Sequence, residues 1–400
     1  MPKASTFWAL VLLLAACQND GAGPGSNPLP SSNADFQRAE GHPHPDSIPA
    51  VTDPRFIIKD VPRDTLFWIG NALRGGRTIG KAEGDLDEML GTIRDVAVSD
   101  SVVYYADGNY SHVRAYDFEG HLVDILGSPG EGPGEMSWVS KVSVTGSGDS
   151  VYVVVGSGQY KISVFRRRRD GTHEFRNSFS STVDFFNGAM CAMHGHVYTT
   201  GYKEDLSGVI HKHTLEGAYV SSFGARYNHD ARIVRSTIAE WAILECNATH
   251  RTLLHLQRQA PIATAFTESG VVIWRIKFSD ARIALAIAHY WKNRPYRVSI
   301  GQGVPWIGES RAPDIVGGAS GDTFWLTRLE LLSEERDRWV GHLYKVDVLS
   351  GRGEYVGPRP FNHTLQAGMR IQAIAQERLF VSRMTPFPQL GIHRMPSEIR

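Results

Sequence analysis

Cysteine supplies the most reactive side chains in this sequence, and there are three. Cys17 closes the run Leu14-Ala15-Ala16-Cys17, after an uncharged apolar stretch from Phe7 to Ala16 and a single basic residue, Lys3. A basic start, a short apolar core and small residues before the cut form the pattern read by the export machinery. The apolar run is about half of the ~20 residues that a membrane-spanning helix needs, so it reads as a cleaved signal over 1–16 that ends immediately before Cys17. Cys191 and Cys246 then lie in a compartment where disulfides form. They could pair if their strands run side by side, or remain small buried thiols in their apolar surroundings.

Leu14-Ala15-Ala16-Cys17 resembles the lipobox of bacterial lipoproteins, in which the cysteine is lipidated and becomes the first residue of the mature chain. The resemblance implies lipid anchoring through Cys17 to the cell membrane or outer membrane. Gln18, in place of an Asp, implies sorting to the outer membrane if the source is Gram-negative. Residues 17–52 are dominated by Gly, Pro, Ser, Asn and His, and such a stretch buries too little surface to offset its ordering entropy, so it reads as a flexible tether. His42 and His44 fall in this tether and read as solvated residues.

Other motifs offer chemistry that their frames do not support. A nucleophile elbow needs Gly-x-Ser-x-Gly between a strand and a helix, and neither Gly146-Ser147-Gly148 nor Gly156-Ser157-Gly158 has that setting. Gly130-Glu131-Gly132-Pro133-Gly134-Glu135 could suggest a phosphate loop. Such a loop needs a Lys and a Ser or Thr entering a helix, whereas Met136-Ser137-Trp138 leads into a strand. The basic run Arg166 to Arg169 precedes Asp170-Gly171 and reads as a solvated hairpin tip, with an anionic contact as the alternative. The chain has 42 basic and 42 acidic residues, which gives no electrostatic case for a nucleic-acid partner.

The elements that position these residues show a period. Gly80 to Met89 is echoed by Gly127 to Met136 at an offset of 47. After each comes the same order, Val96-Ala97-Val98 then Val102 to Tyr105, against Val142-Ser143-Val144 then Val151 to Val154. Short Val- and Tyr-rich runs broken by Asp, Gly and Ser are strands joined by tight turns. With His112 to Asp117 and Leu122 to Leu126 they make four-stranded antiparallel units, which cannot cover their own apolar faces and must stack on one another. Units starting near 95, 141, 189, 238, 314 and 371 predict a six-bladed ring over residues 53–400, completed by strands at 55–58 and 66–69. Asp280 to Trp291 is rich in helix formers and predicts a short helical insertion near 280–292.

The turn Gly127-Ser128-Pro129-Gly130-Glu131-Gly132-Pro133-Gly134-Glu135-Met136, with Asp95-Val96-Ala97-Val98 and Tyr105-Ala106-Asp107, resembles the bacterial six-bladed β-propeller lipoproteins related to NHL-repeat proteins. The resemblance is good over 80–140, fair to 225 and weak beyond, and it implies an all-β propeller far more than an activity. Some propellers are lactonases that hold a metal with carboxylates at the channel mouth, and here Asp95, Asp107 and Asp314 would be the candidates. The competing reading is that each Asp near a turn bonds its own backbone. Trp68, Trp138, Trp241, Trp274, Trp306 and Trp325 could line a carbohydrate site, or pack between blades.

The sequence therefore points to a monomeric, lipid-anchored propeller outside the cytoplasm that binds a protein or glycan of the cell envelope, with no cofactor and no catalytic set. A metal-dependent hydrolase or lyase using the central channel is the alternative.

Overall fold

The computed structural model describes residues 76–395, except 86–87, 159, 184–188, 227–241, 258–261, 278–313, 334–337, 360–368 and 384–385. The chain is all-β, built of four-stranded antiparallel blades arranged as a β-propeller. Strand β1 (Arg77–Ile79) comes first, then a meander of β2 (Ile93–Val98), β3 (Val102–Asp107), β4 (His112–Asp117) and β5 (Leu122–Leu126). After the two-residue pair β6 (Ser128–Pro129) and β7 (Glu135–Met136) come β8 (Val139–Thr145), β9 (Tyr152–Ser157), β10 (Lys161–Arg167) and β11 (His173–Ser180). The third meander is β12 (Met190–Met193), β13 (His196–Thr200), β14 (Ile210–Thr214) and β15 (Tyr219–Phe223). The fourth is β16 (Ala242–Asn247), β17 (Thr252–Gln257), β18 (Ile262–Thr267) and β19 (Val272–Lys277). The remaining strands are β20 (Asp314–Ser320), β21 (Thr323–Ser333), β22 (Arg338–Asp347), β23 (Gly353–Arg359), β24 (Met369–Ala375), β25 (Arg378–Arg383) and β26 (Gln389–Arg394).

Burial follows position within a sheet. The middle strand β3, Val-Val-Tyr-Tyr-Ala-Asp, is buried at every residue, because sheets cover it on both sides. The outermost β11 alternates between half-buried and exposed residues, as a strand with one wet face should. The hydrophobic clusters lie between neighbouring sheets. Tyr104, Ala106 and Val113 of one sheet interlock with Val142, Val153 and Phe165 of the next, and Tyr198 and Ile210 interlock with Leu244, Leu253 and Phe266. Each fully buried large apolar side chain stabilises by about 1.5–3 kcal/mol, so a blade removed from its neighbours would lose most of its support.

The unit starts expected near 95, 141, 189, 238, 314 and 371 meet strands beginning at Ile93, Val139, Met190, Ala242, Asp314 and Met369. The count of six is corrected. Among the described residues there are five large sheets, four with four strands and one with eight in the order β1-β26-β25-β24-β20-β21-β22-β23. The eight-stranded sheet arises because β20 and β24 pair in parallel at Gly317 and Ala373. The final meander takes its outermost strand from the opposite end of the chain, since β1 pairs antiparallel with β26 through Arg77–Ile392, Thr78–Gly391 and Ile79–Leu390. The closing strands expected at 55–58 and 66–69 lie outside the described residues, as do Cys17, the tether and the helix near 280–292.

The glycine-rich turn is a crossover between sheets. Gly127, Gly130 and Gly134 adopt φ of 78°, 146° and 76°, conformations that glycine reaches without steric cost. The turn lets β6 and β7 pair in parallel and drops Met136 into the core with no exposed surface.

Candidate functional site

Strands β2, β8, β12, β16 and β24 line an axial cavity of about 340 Å³. Its wall includes Asp95 on β2, Lys141 and Ser143 on β8, Cys191 on β12, Glu245 and Cys246 on β16, and Gln372 on β24. Charges of both signs thus face the same space, on strands whose alternate residues turn toward the axis.

Several of these side chains hold blades together. The Asp95 carboxylate accepts a 3.0 Å hydrogen bond from Val142 N, and Ser143 Oγ accepts one of 2.9 Å from Ala192 N. At the next joint the tie is covalent, because Cys191 and Cys246 form a disulfide with a Cα–Cα distance of 5.7 Å. Further round, Asn247 Nδ2 donates to Gly321 O at 2.8 Å and Trp274 Nε1 to Val348 O at 2.7 Å. Gln376 Nε2 then donates to Ser99 O at 2.9 Å, which joins the last meander to the first.

Asp107 is committed to structure too. Its side chain is fully buried; Oδ2 accepts from Gly91 N at 3.0 Å, and Oδ1 from Asn109 N and Tyr110 N at 3.1 and 3.3 Å. A Cβ at position 91 would sit 2.2 Å from Asp107 Oδ1, so only glycine permits this approach. The partner cation is Arg114, with Nε 3.6 Å from Asp107 Oδ2 and 1% exposure of its side chain. Arg114 Nε also donates to His112 Nε2 at 3.0 Å, and its guanidinium lies over the Tyr110 ring at 5.3 Å. Burial, with Arg114 second, lowers the His112 pKa to about 4, so the imidazole is neutral and serves as an acceptor.

Strongly perturbed groups also cluster inside the blades. Burial pushes His211 and His213 on β14 and His255 on β17 down to about 4. His211 is bonded by Ser222 Oγ at 2.7 Å and Gly201 O at 3.1 Å, whereas both ring nitrogens of His213 are buried without a hydrogen-bond partner. The Arg251 guanidinium, with burial opposing and His194 assisting, holds the Glu268 carboxyl near 2. Tyr104 Oη, His173 and Asp124 form a chain across two sheets, with 3.1 Å to His173 Nε2 and 3.0 Å from Nδ1 to Asp124 Oδ2. Tyr104 and His173 have almost no exposed side-chain surface while Asp124 is 24% exposed, so the chain braces a joint between the two sheets.

Of the three carboxylates considered for a metal, two are engaged within the fold. Asp95 bridges to Val142, Asp107 faces Gly91 and Arg114, and the Asp314 side chain lies outside the described residues. Among the described residues no group of three His, Cys, Asp or Glu side chains converges. Arg166 and Arg167 end β10, and Arg168 and Arg169 lie in the following turn, where Arg168 pairs with Glu174 at 3.2 Å. Trp274 and Trp325 are buried while Trp138 is half-buried beneath the Arg94 guanidinium at 4.9 Å; Trp68, Trp241 and Trp306 lie outside the described residues. Sequence reasoning missed Arg114 and the buried histidines, although their positions inside apolar strands were visible.

Neither a protein-family model nor a curated protein sequence matches the chain. Its structure is similar to that of a Bacteroides fragilis protein named as exported, with a TM-score of 0.50 and 10% identity over 85% of this chain and 98% of that one. A virginiamycin B lyase from Staphylococcus aureus gives a TM-score of 0.43 and 10% identity over 80% of this chain and 99% of that one. A member of the DUF4221 family from Bacteroides vulgatus gives 0.43 and 10% over 76% and 92%. The first of these likenesses bears on the fold alone.

Proposed function

We propose that this is an exported lipoprotein, cut before Cys17 and held on the outer face of a membrane by lipid, whose propeller binds a protein or glycan of the cell envelope. Residues 17–52 act as the tether and residues 53–400 as the propeller. The Cys191–Cys246 disulfide supports an oxidising compartment outside the cytoplasm.

One observation carries the recognition reading. Polar side chains on the axial wall are engaged in joining blades, as Asp95 is with Val142 and Ser143 with Ala192. A wall built this way stiffens the ring and leaves contact with a partner to the connecting loops, the usual place for binding on a rigid scaffold.

The anchor is tested by metabolic labelling with a radioactive fatty acid. The wild-type chain takes up label and pellets with membranes; Cys17→Ala takes up none and becomes soluble, and continued membrane retention would overturn the anchor. Recognition is tested by incubating the detergent-solubilised chain with isolated envelope, where saturable binding is expected. Metal-dependent lactone hydrolysis by the same preparation would replace recognition with the hydrolase reading.

A further inference from the structure

We propose that a groove on the second meander, beside the glycine-rich crossover, is a binding site for an uncharged pyranoside glycan. This rests on the recognition reading and gives it a ligand class and a place.

The groove is shallow and open to solvent, with a volume of about 610 Å³, within the ~300–1,000 Å³ of small-ligand sites. Its wall includes Glu131, Ser137, Ser157, Tyr160, Ser178 and Ser180. Tyr160 is 45% exposed, a large amphipathic ring where an apolar sugar face can stack while hydroxyls reach the rim. Ser178 and Ser180 are alternate residues of β11 and both exposed, so their hydroxyls stand on one face of the strand. Ser157 is fully buried in the wall, and its Oγ has no hydrogen-bond partner. Serine hydroxyls both donate and accept, which suits a ligand whose own hydroxyls do the same.

The platform is held in place. Gly158 N donates to Trp138 O at 2.7 Å and Ser181 N to Tyr160 O at 2.7 Å, fixing the backbone on either side of the tyrosine. The glycine-rich segment opposite is gripped by Lys161, whose Nζ donates to Glu131 O, Gly132 O and Glu135 O at 3.0, 3.0 and 2.9 Å. Those bonds also select the ligand's charge. The cation in the groove wall is turned onto the protein's own carbonyls while the exposed Glu131 carboxylate remains, so a neutral polyol is favoured over a phosphate or an acidic peptide.

The test uses the full chain in detergent micelles with chitohexaose, cellohexaose and maltohexaose as probes, read by saturation-transfer NMR and titration calorimetry. The expected result is binding of at least one hexaose, with about tenfold weaker binding in Tyr160→Ala. Ser178→Tyr, which fills the groove, should weaken it as much, and Tyr160→Phe should retain it. Unchanged circular dichroism in each variant separates loss of the site from loss of the fold. Failure to bind any of the three, or equal affinity in wild type and both disrupting variants, overturns the glycan site. Saturable binding to isolated envelope that survives both variants would overturn the site and leave recognition standing, whereas no envelope binding at all would end both.

Discussion

Asp95 and Val142 are 47 positions apart, and a 3.0 Å hydrogen bond from Val142 N to the Asp95 carboxylate joins their sheets. That separation equals the offset at which the glycine-rich segment repeats. Asp124 with His173, and Ser143 with Ala192, each span 49 positions, so these joints recur at close to the unit length. Trp274 and Val348 are 74 apart, because residues 278–313 fall between the two sheets that they link.

This bond makes Asp95 a joint residue, and its removal should affect stability. A hydrogen bond to a charged group contributes ~1.5–3 kcal/mol. Asp95→Ala is expected to lower the unfolding free energy by about 1–2 kcal/mol, since the site is half-buried and partly wet, with Asp95→Asn losing less. Urea denaturation measures both, and an unchanged midpoint in Asp95→Ala would remove the carboxylate from the joint.

Cys246→Ser, or reduction of the chain, should destabilise more. The disulfide spans 55 residues, and closing a loop of that size in the unfolded chain corresponds to about 4 kcal/mol of entropy. Thermal melts with and without dithiothreitol should separate by several degrees in the wild type and coincide in the Cys246→Ser variant.

Asp107→Ala should be among the most damaging substitutions in the first meander. It strands a buried guanidinium and three backbone amides, a loss of about 3–5 kcal/mol. Asp107→Ala is expected to reduce the soluble yield sharply while calcium leaves the wild-type melting temperature unchanged. A calcium-dependent rise in wild-type stability that Asp107→Ala abolishes would return this residue to a metal site.

Acid should unfold the protein through its interior histidines. His211, His213 and His255 have pKa values of about 4 when folded against an ordinary 6.5. Between those values the unfolded chain binds more protons, so the stability fully present above pH ~6.5 falls as pH drops toward 4. Each histidine accounts for on the order of 2–3 kcal/mol across that window. Replacing His213, whose ring lies 5.9 Å from both Phe179 and Tyr219, by Phe should move the acid midpoint lower. An acid limb identical in the variant and the wild type would exclude His213 as a contributor.

The legible parts of this fold are local ones. Period-two runs and turn residues placed the first strand of each meander within four residues, because alternation and glycine conformation act over short distances. The glycine-rich crossover was readable for the same reason, as was a self-capping Asp, which Asp107 is toward Asn109 and Tyr110. The sheet count was not readable, since Gly317 pairs with Ala373 only after two meanders are packed. The burial of Arg114 and His213 was not readable, for a physical reason. A polar residue alternating with apolar ones marks a wet face on a two-layer sheet, but a middle strand in this ring has sheets on both sides, so its polar face is buried as well. The groove beside Tyr160 joins β11 to a segment some forty residues earlier, and no periodicity announces it.

The pairing of β1 with β26 has a mechanical consequence. Among the described residues β1 is a strand of three residues, and it lies at the outer edge of the eight-stranded sheet. Detaching that strand costs few hydrogen bonds and leaves the four meanders from β2 to β19 untouched. It would also bare the edge of β26. The strand that joins the two ends of the described chain is therefore held by three residue pairs, fewer than the strands inside each meander share.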